Sequence, residues 1–546
     1  MSERPPTVKA QMPAAHQGDV EECLQAAVEA RVAERVREGD PTLWGPEGTP
    51  EIANRLGWLT IAERMLDELG PIELFAAESR DGELSDVVLL GMGGSSLAPE
   101  VLRRAFAGQV EGPRLHVLDS TDAARILAVQ GAIDLEHTLF VVSSKSGGTI
   151  EPLSLFAHFF SRVESGNSFV AITDPGSGLE KLAAERGFLR TFAGDPGIGG
   201  RYSALSAFGI VPGSLAHIDV HALLTGAAGA WETPLENDSH DLGAGVWMGA
   251  ALSALARAGR DKLTFLIAPT LPGLGLWLEQ LVAESTGKQG TGILPVAEEP
   301  LGEPAVYGED RVFAYLPDLG APDAELERGV QALVDASHPV ITVPTHGPSD
   351  LGRLFLLWEI AVAVAGWGLE INPFDQPNVQ QAKDATKRVL EGYEKDHQLP
   401  AVEGADTAAL RSLLLDAAPP SYVAIMAYTE PTAELDAAIA ELRVAIRAAR
   451  KATTTFGYGP RFLHSTGQFH KGGPKVGRFL QLLHDGLSDV EIPGASYTFT
   501  TLKHAQAIGD LQTLRELGLP AEQLTLAGDD PVGAVRALTA TIKEQK

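Results

Sequence analysis

Short apolar runs alternate with helical patterns over most of this sequence. Runs at residues 86–90, 138–142 and 169–172 are each followed by a turn and by apolar residues at helical spacing. Parallel strands need a long crossover between them, usually a helix, so this alternation predicts a parallel α/β unit. Together with the helical patterns that precede it, we place this first unit at residues 21–230.

The same plan recurs in the middle of the chain. A long helical pattern at residues 241–258 precedes three further apolar runs, at 263–267, 312–316 and 340–343. These runs predict a second parallel-sheet unit at residues 231–394.

A third, smaller α/β unit is predicted at residues 395–546. It contains a β-type run at 422–427, a charged helical pattern at 432–451 and a β-type run near 497–501. The fold class is therefore α/β, with two parallel-sheet domains, flanking helices and a C-terminal α/β unit.

Two segments outside this plan need their own interpretation. Residues 1–20 mix proline and charge without the apolar core of a signal peptide, so we expect a flexible tail and no export. The long apolar stretch 354–371 is interrupted by Glu359 and Glu370 and has glycines near its end. This pattern favours a buried core helix over a membrane span.

Charge and cysteine content narrow the classes of function. The formal net charge is −29, which argues against nucleic acid or an anionic membrane as a partner. The single cysteine, Cys23, allows no disulfide within the chain, and no Cys/His cluster indicates a metal site. We expect a cytoplasmic protein without metal or cofactor.

Two turns rich in glycine and serine carry the candidate ligand chemistry. Gly91–Ser96 separates a strand from a helix, and a second turn before a helix contains Ser143, Ser144, Ser146 and Thr149. Glycines let the backbone approach a ligand, and the N–H groups of a helix start favour an anion. The spacing fits neither the dinucleotide fingerprint nor the Walker loop, so the turns predict a different phosphate site.

The segments GMGGSSL, SSKSGGT and FVAITD resemble the sugar isomerase domain, which binds phosphorylated sugars. The resemblance implies that the two parallel-sheet units are sugar isomerase domains. Because isomerases, synthases and regulators share this domain, the fold alone does not select a reaction.

Further segments in the same order resemble the signatures of glucose-6-phosphate isomerases. They are GGRYSALS at residues 199–206, AESTGK at 283–288, and INPFDQ at 371–376 followed by Lys383. The resemblance implies an aldose–ketose isomerase of glycolysis and gluconeogenesis, acting through a cis-enediol(ate) intermediate.

The resemblance also implies catalytic roles. Moving a carbonyl between C1 and C2 needs a base to carry a carbon-bound proton, and the matching residue is Glu284. The developing negative charge needs a fixed cation, and Arg201 matches that position. Lys383 matches the lysine that assists ring opening at the sugar oxygen.

For the substrate phosphate, the resemblance implies a cradle built from both turns. Lys145 lies in the second turn, where its side chain either adds charge or faces solvent. The implied phosphate-binding residues are Gly94, Ser95, Ser144, Lys145, Ser146, Thr149 and Gln376, the last closing the pocket.

The sequence departs from the family pattern at the ring-opening histidine. The family carries this histidine in a Gln-His pair downstream of the catalytic glutamate, but no histidine lies between Glu284 and Tyr315. The segment HSTGQFHKGG, near residue 470, contains a Gly-Gln pair. We therefore expect His470 to open the ring, with His464 as the second choice.

This last segment resembles the isomerase half of bifunctional transaldolase/glucose-6-phosphate isomerases. We find no transaldolase half, and we expect one activity and no Schiff-base lysine. Two alternatives stay open: a non-catalytic sensor of sugar phosphates, and an isomerase of another phosphosugar such as mannose 6-phosphate. The oligomeric state also stays open, and the resemblance allows a homodimer.

Overall fold

The computed structural model describes residues 4–81, 84–526, 528 and 530–544. The strands, numbered in chain order, are β1 (Lys9–Gln11), β2 (Asp86–Gly91), β3 (Arg114–Leu118), β4 (Thr138–Ser143), β5 (Phe169–Thr173), β6 (Arg190–Ala193), β7 (Lys262–Ile267), β8 (Leu294–Val296), β9 (Arg311–Leu316), β10 (Val340–Thr342), β11 (Tyr422–Tyr428), β12 (Thr453–Tyr458), β13 (Gly477–Leu483) and β14 (Ala521–Thr525).

Helices surround these strands. Numbered in the same way, they are α1 (Ala14–Glu29), α2 (Val32–Arg37), α3 (Ile61–Asp81), α4 (Leu97–Ala105), α5 (Ala123–Ala132), α6 (Ile150–Val163), α7 (Gly178–Arg186), α8 (Ala207–Leu215), α9 (Val220–Ala228), α10 (Ala244–Arg257), α11 (Leu274–Thr286), α12 (Ala324–Asp335), α13 (Leu351–Gly368), α14 (Val379–Asp396), α15 (Thr407–Leu415), α16 (Ala433–Arg450), α17 (Gly467–Gly472), α18 (Phe499–Glu516) and α19 (Pro531–Lys543).

The strands form three sheets. The first has the order β3-β2-β4-β5-β6 and the third the order β12-β11-β13-β14, and all their described pairs are parallel. The second has the order β1-β10-β9-β7-β8 and is parallel except for the β1–β10 pair. The predicted fold class is confirmed.

Except for the run near 497–501, the predicted strands are confirmed with small shifts at their ends. Every residue of β2 and β4 is buried, because helices cover both faces of the sheet. Strands buried on both faces are nearly continuous apolar runs, which explains why sequences such as DVVLLG were recognisable. The predicted helix at 432–451 is α16.

Two local expectations were wrong. The expected flexible tail contains β1, which pairs with β10, and the start of α1, whose buried Val20 and Leu24 pack into the core. Residues 1–3 lie outside the described residues. The β-type run near 497–501 is the start of α18, because the Thr498 hydroxyl accepts a hydrogen bond from the Thr501 N–H and caps a helix.

The predicted domain boundaries stay a prediction. The first sheet lies inside residues 21–230 and the third inside 395–546, whereas the second sheet takes β1 from outside 231–394. Helix α14, which ends the predicted second unit, packs on α18 of the third. These contacts show that the three units are interleaved rather than joined end to end.

Helix α13 is the apolar stretch that we interpreted as a core helix. By length and composition the segment Gly347–Gly368, which contains this helix, could cross a membrane, but 94% of its most apolar window is buried inside the structure. The buried Glu359 carboxyl has no hydrogen-bond partner, and burial raises its pKa well above the usual value. Burial therefore favours the neutral form of Glu359, which lets an apolar helix tolerate this residue.

The third unit docks on the first through buried charges. Lys503 Nζ lies 2.9 Å from Asp122 Oδ2, and Arg461 Nε lies 2.9 Å from Asp119 Oδ2. Both aspartates follow β3, at the carboxyl edge of the first sheet. This docking brings the loop after β12 onto the edge that carries the glycine- and serine-rich turns.

Candidate active site

The two glycine- and serine-rich turns meet at the carboxyl edge of the first sheet. Strands β2 and β4 are neighbours, with Gly91 in register with Ser143, so both turns leave the sheet side by side. The chain proceeds from β2 to β3 on one side and returns to β4 on the other. Such a reversal of strand order opens a crevice in which ligands bind in parallel sheets.

Glycines allow two other segments to approach the first turn. A Cβ atom at Gly93, where φ is +55°, would lie 2.8 Å from the carbonyl oxygen of His464. A Cβ atom at Gly94 would lie 2.0 Å from the carbonyl oxygen of Gly200. The glycines therefore bring the segments that carry Arg201 and His464 against the turn.

Arg201 and Glu284 form a buried ion pair beside this turn. Arg201 Nη1 lies 3.6 Å from Glu284 Oε2, and the two residues are 2% and 4% exposed. Burial raises the pKa of Glu284, and the nearby Arg201 opposes that rise. A carboxylate with a raised pKa beside a fixed cation is suited to accept and return a proton.

The orientation of the Arg201 guanidinium is set by several acceptors. Its Nη2 donates to the carbonyl oxygens of Pro373 (2.7 Å) and Asp375 (2.8 Å), and its Nε donates to Ser285 Oγ at 2.9 Å. The INPFDQ segment thus holds one side of the guanidinium. Its Nη1 faces Glu284 and also donates to Gln376 Oε1 at 3.3 Å.

Gln280 connects Glu284 with the loop after β12. Its Nε2 donates to Glu284 Oε2 at 3.3 Å and to the His464 carbonyl oxygen at 2.7 Å. Gln280 and Glu284 are four positions apart on α11 and therefore share a face of the helix. Through Gln280, helix α11 of the second unit contacts the loop after β12 of the third unit beside Glu284, the candidate base.

Lys288 is a second buried basic residue near the pair. Its Nζ lies 2.8 Å from Asp375 Oδ1 and donates to the Asn372 carbonyl oxygen at 2.6 Å. Burial, followed by the repulsion of Arg201, lowers the pKa of Lys288 to about 7. Lys288 therefore helps to hold the INPFDQ segment that orients Arg201.

His464 is held by a carboxylate from the first unit. Its Nε2 donates to Glu151 Oε1 at 2.9 Å, and Glu151 lies in the first turn of α6, directly after the second glycine- and serine-rich turn. Burial pushes the pKa of Glu151 up, but its interaction and hydrogen bond with His464 lower it further, so the net pKa lies below the usual value. An ionised Glu151 fixes the proton on Nε2, so Nδ1 is the nitrogen able to accept one.

A cavity of about 420 Å³ opens beside this group. It is lined by Thr149, Glu151 and Leu463 with His464, by Lys383 and other residues of α14, and by Tyr497 and Gln506. The end of the second glycine- and serine-rich turn, the histidine and the candidate ring-opening lysine thus face one space. Among the described residues, no group of three His, Cys, Asp or Glu side chains could hold a metal ion.

The structure places His470, the preferred ring-opening histidine, outside the lining of this cavity. His470 is 4% exposed, packs against Tyr422, Phe462 and Phe479, and has no hydrogen-bond partner on either ring nitrogen. Burial lowers its pKa to about 3. The imidazole is a neutral part of the core of the third unit, so of these two histidines only His464 reaches the site.

The predicted phosphate residues divide into two groups. Ser144 Oγ donates to Thr149 Oγ1 at 3.1 Å, and Ser146 Oγ accepts from the Gly148 N–H at 3.4 Å, so these hydroxyls share one turn. Lys145 instead turns toward Asp174, with its Nζ 2.7 Å from Oδ2, and donates to the Asp195 carbonyl oxygen. The Lys145 side chain therefore neither faces open solvent nor joins the turn's hydroxyls.

The first turn contributes mainly backbone. Ser95 is buried, and its carbonyl oxygen accepts from Ser143 Oγ at 3.2 Å, which ties the two turns together. Gly94 lies against Gly200. Gln376 is exposed and accepts a hydrogen bond from Nη1 of Arg201, the nitrogen that also faces Glu284.

Sequence reasoning missed Glu151, Gln280, Lys288 and Gln506 as members of the site. The sequence did contain signals for two of them: Gln280 precedes Glu284 by one helical turn, and Glu151 is an acid directly after a turn predicted to bind phosphate. An acid there needs a cationic or hydrogen-bonding partner. For Gln506 we find no such signal.

Two glycine- and serine-rich turns lie where the strand order of a parallel sheet reverses, and a buried Glu–Arg pair lies beside the first of them; this arrangement is typical of the phosphosugar isomerase class. The family model described as "Phosphoglucose isomerase" matches residues 72–309. The glucose-6-phosphate isomerase of Rubrobacter xylanophilus is 32% identical over 364 residues, which cover 57% of this chain and 84% of that one. The chain belongs to the glucose-6-phosphate isomerase family.

A second relative and two solved structures are also similar to this chain. A glucose-6-phosphate isomerase of Thermus thermophilus is 30% identical over 63% of this chain and 92% of its own. The crystal structure of hypothetical protein TT0462 from the same organism has a TM-score of 0.58 at 26% identity, covering 69% of this chain and 99% of that one. A glucose-6-phosphate isomerase from Chlamydia trachomatis shares the fold, with a TM-score of 0.58 at 20% identity over 69% of this chain and 86% of its own.

Proposed function

We propose that this protein interconverts glucose 6-phosphate and fructose 6-phosphate, with Glu284 carrying a proton between C1 and C2 through a cis-enediol(ate). The observation that carries the proposal is the buried pair of Glu284 Oε2 and Arg201 Nη1, 3.6 Å apart. The names of the related proteins support the choice of substrate.

The environment of Glu284 suits this chemistry. Its raised pKa brings the carboxylate closer to the range in which it can both take and return a proton near neutral pH. Arg201 is held by the carbonyl oxygens of Pro373 and Asp375, so it needs no reorientation when negative charge develops on the enediolate.

Ring opening is assigned to His464, assisted by Lys383. Both line the same cavity as Thr149, and Glu151 holds the imidazole through its Nε2. His464 then exchanges a proton with the sugar oxygen through Nδ1. Isomerisation of cyclic substrate by His464→Ala and His470→Ala separates the two histidines: we expect a large loss for the first only, and equal rates would contradict the assignment.

Phosphate binding is assigned to the hydroxyls of Ser144, Ser146 and Thr149 and to the backbone of Gly94 and Ser95. The start of α6 adds N–H groups that favour an anion. Gln376 closes the pocket from the INPFDQ side. We also propose a cytoplasmic location, which cell fractionation tests.

A coupled assay of fructose 6-phosphate conversion without added metal tests the proposal. Wild type should be active and Glu284→Gln inactive. A sensor of sugar phosphates would bind without turnover, and an isomerase of mannose 6-phosphate would prefer that substrate in the same assay. Equal activity of wild type and Glu284→Gln would refute Glu284 as the base.

A further inference from the structure

Gln506 contacts the carboxylate that holds His464, although it comes from a different unit of the chain than that carboxylate. Its Nε2 donates to Glu151 Oε1 at 2.8 Å, the same oxygen that accepts from His464 Nε2 at 2.9 Å. Gln506 lies on α18, is 2% exposed and lines the cavity. One carboxylate oxygen thus receives both hydrogen bonds.

The orientation of the Gln506 amide is fixed from its other end. Its Oε1 accepts from Thr121 Oγ1 at 2.8 Å, in the loop after β3. With the oxygen engaged there, the NH₂ group must face Glu151, because the reversed amide would place its oxygen against a carboxylate. Three hydrogen bonds therefore connect Thr121, Gln506, Glu151 and His464 in series, and the donor and acceptor of each are fixed.

We propose that Gln506 is a positioning residue for ring opening. By holding Glu151 Oε1 in place, it sets the direction in which His464 presents Nδ1 to the cavity. The inference rests on the proposed function, since it assigns a purpose to Gln506 only if His464 opens a sugar ring.

The same contact also affects the charge of Glu151. A hydrogen bond donated to a carboxylate favours its ionised form. Other charged groups act on this pair as well: Lys383 from α14 stabilises the charge of Glu151, and Glu284 from α11 interacts with His464. Removing the Gln506 donor should therefore change both the geometry and the pH dependence of ring opening.

Two substrates separate ring opening from proton transfer. Glucose 6-phosphate must be opened, whereas an aldotetrose 4-phosphate cannot close a ring, because its C4 oxygen carries the phosphate. Exchange of the C2 proton of the tetrose phosphate with D₂O, followed by NMR, reports on Glu284 alone. Turnover of glucose 6-phosphate reports on both steps.

We expect Gln506→Leu to lower kcat/KM for glucose 6-phosphate by about 10- to 100-fold, which is the effect of losing a hydrogen bond to a charged group. C2 exchange of the tetrose phosphate should stay within about twofold of wild type. Gln523→Leu is the matched control, because Gln523 is a buried amide of the same unit that bonds to Gln481 instead. It should match wild type on both substrates.

The variant Gln506→Glu adds a pH readout. A second carboxylate against Glu151 raises the pKa of Glu151, so the acid limb of kcat/KM for glucose 6-phosphate should move up by about one pH unit. If Gln506→Leu does not fold, Thr121→Val removes only the hydroxyl that orients the amide and should show a smaller loss of the same kind.

The outcomes distinguish the inference from the function on which it rests. If wild type turns over neither substrate, the proposed function fails. If wild type is active and Gln506→Leu equals it on glucose 6-phosphate, or loses both activities by the same factor, Gln506 does not position His464.

Discussion

Glu284 and Arg201 lie 83 positions apart in the chain, yet their carboxylate and guanidinium are 3.6 Å apart in a buried pocket. The carboxylate needs the cation to stay ionised there, and the cation is held by carbonyl oxygens of a third segment. The pair is therefore a preorganised arrangement whose parts can be tested one at a time.

The first prediction concerns Glu284. Glu284→Gln keeps the shape of the side chain but removes the base, so kcat should fall by at least about a hundredfold while KM stays within about threefold. Glu279→Gln is the control on the same helix: burial raises the pKa of Glu279 to about 8, so its carboxyl is mostly protonated at neutral pH and resembles an amide. Steady-state kinetics of both variants decide the matter, and a similar loss in both would contradict the assignment.

The second prediction concerns the shape of Arg201. Arg201→Lys keeps the charge but cannot satisfy the carbonyl oxygens of Pro373 and Asp375 together with Ser285. We expect a loss of about 2–4 kcal/mol in the free energy of unfolding, together with a fall in kcat. Urea unfolding and steady-state kinetics measure the two effects, and a variant as stable as wild type would show that the charge alone suffices.

The third prediction is a pH dependence of stability caused by His470. Its pKa is about 3 in the folded protein and 6.5 without burial, so below pH 6.5 the unfolded chain binds a proton that the folded protein refuses. Stability is therefore complete above pH 6.5 and is lost as pH falls toward 3, by up to about 1.4 kcal/mol per unit. In His470→Phe this contribution disappears. As pH falls from 6.5 to 5, the urea midpoint of wild type should therefore decrease relative to that of the variant. If the urea midpoints of wild type and His470→Phe change with pH in parallel, the His470 side chain is solvated rather than buried.

The fourth prediction separates the two roles in the second turn. Thr149→Val removes a hydroxyl proposed to bind phosphate and should raise KM for glucose 6-phosphate about tenfold with little effect on stability. Lys145→Met breaks the contacts with Asp174 and Asp195 and should lower stability with a smaller change in KM. If Lys145→Met raises KM as much as Thr149→Val, the lysine reaches the phosphate.

The fifth prediction concerns assembly. Lys383 and His464 of the same chain line one cavity, and we propose that Glu284 of that chain completes the group without a partner. Specific activity should therefore stay constant on dilution through any dimer dissociation observed by light scattering. A sharp fall in activity at the same concentration would show that a partner completes the site.

The sequence by itself determined the architecture and the central pair of the site. Strands such as 86–90 and 138–142 were predictable because a strand buried on both faces is a continuous apolar run, which is a local property. Arg201 and Glu284 were found through motifs of consecutive residues. These features depend on neighbours within a few positions.

Only the tertiary structure decided which histidine lines the cavity and what holds it. His464 and Glu151 are 313 positions apart, and Gln506 and Glu151 are 355 apart, so no local pattern relates them. His470 lies only six residues after His464, yet it belongs to the short helix α17 and its side chain is buried in the core. The docking of the third unit on the first, through buried contacts between distant residues, places one imidazole in the cavity and buries the other.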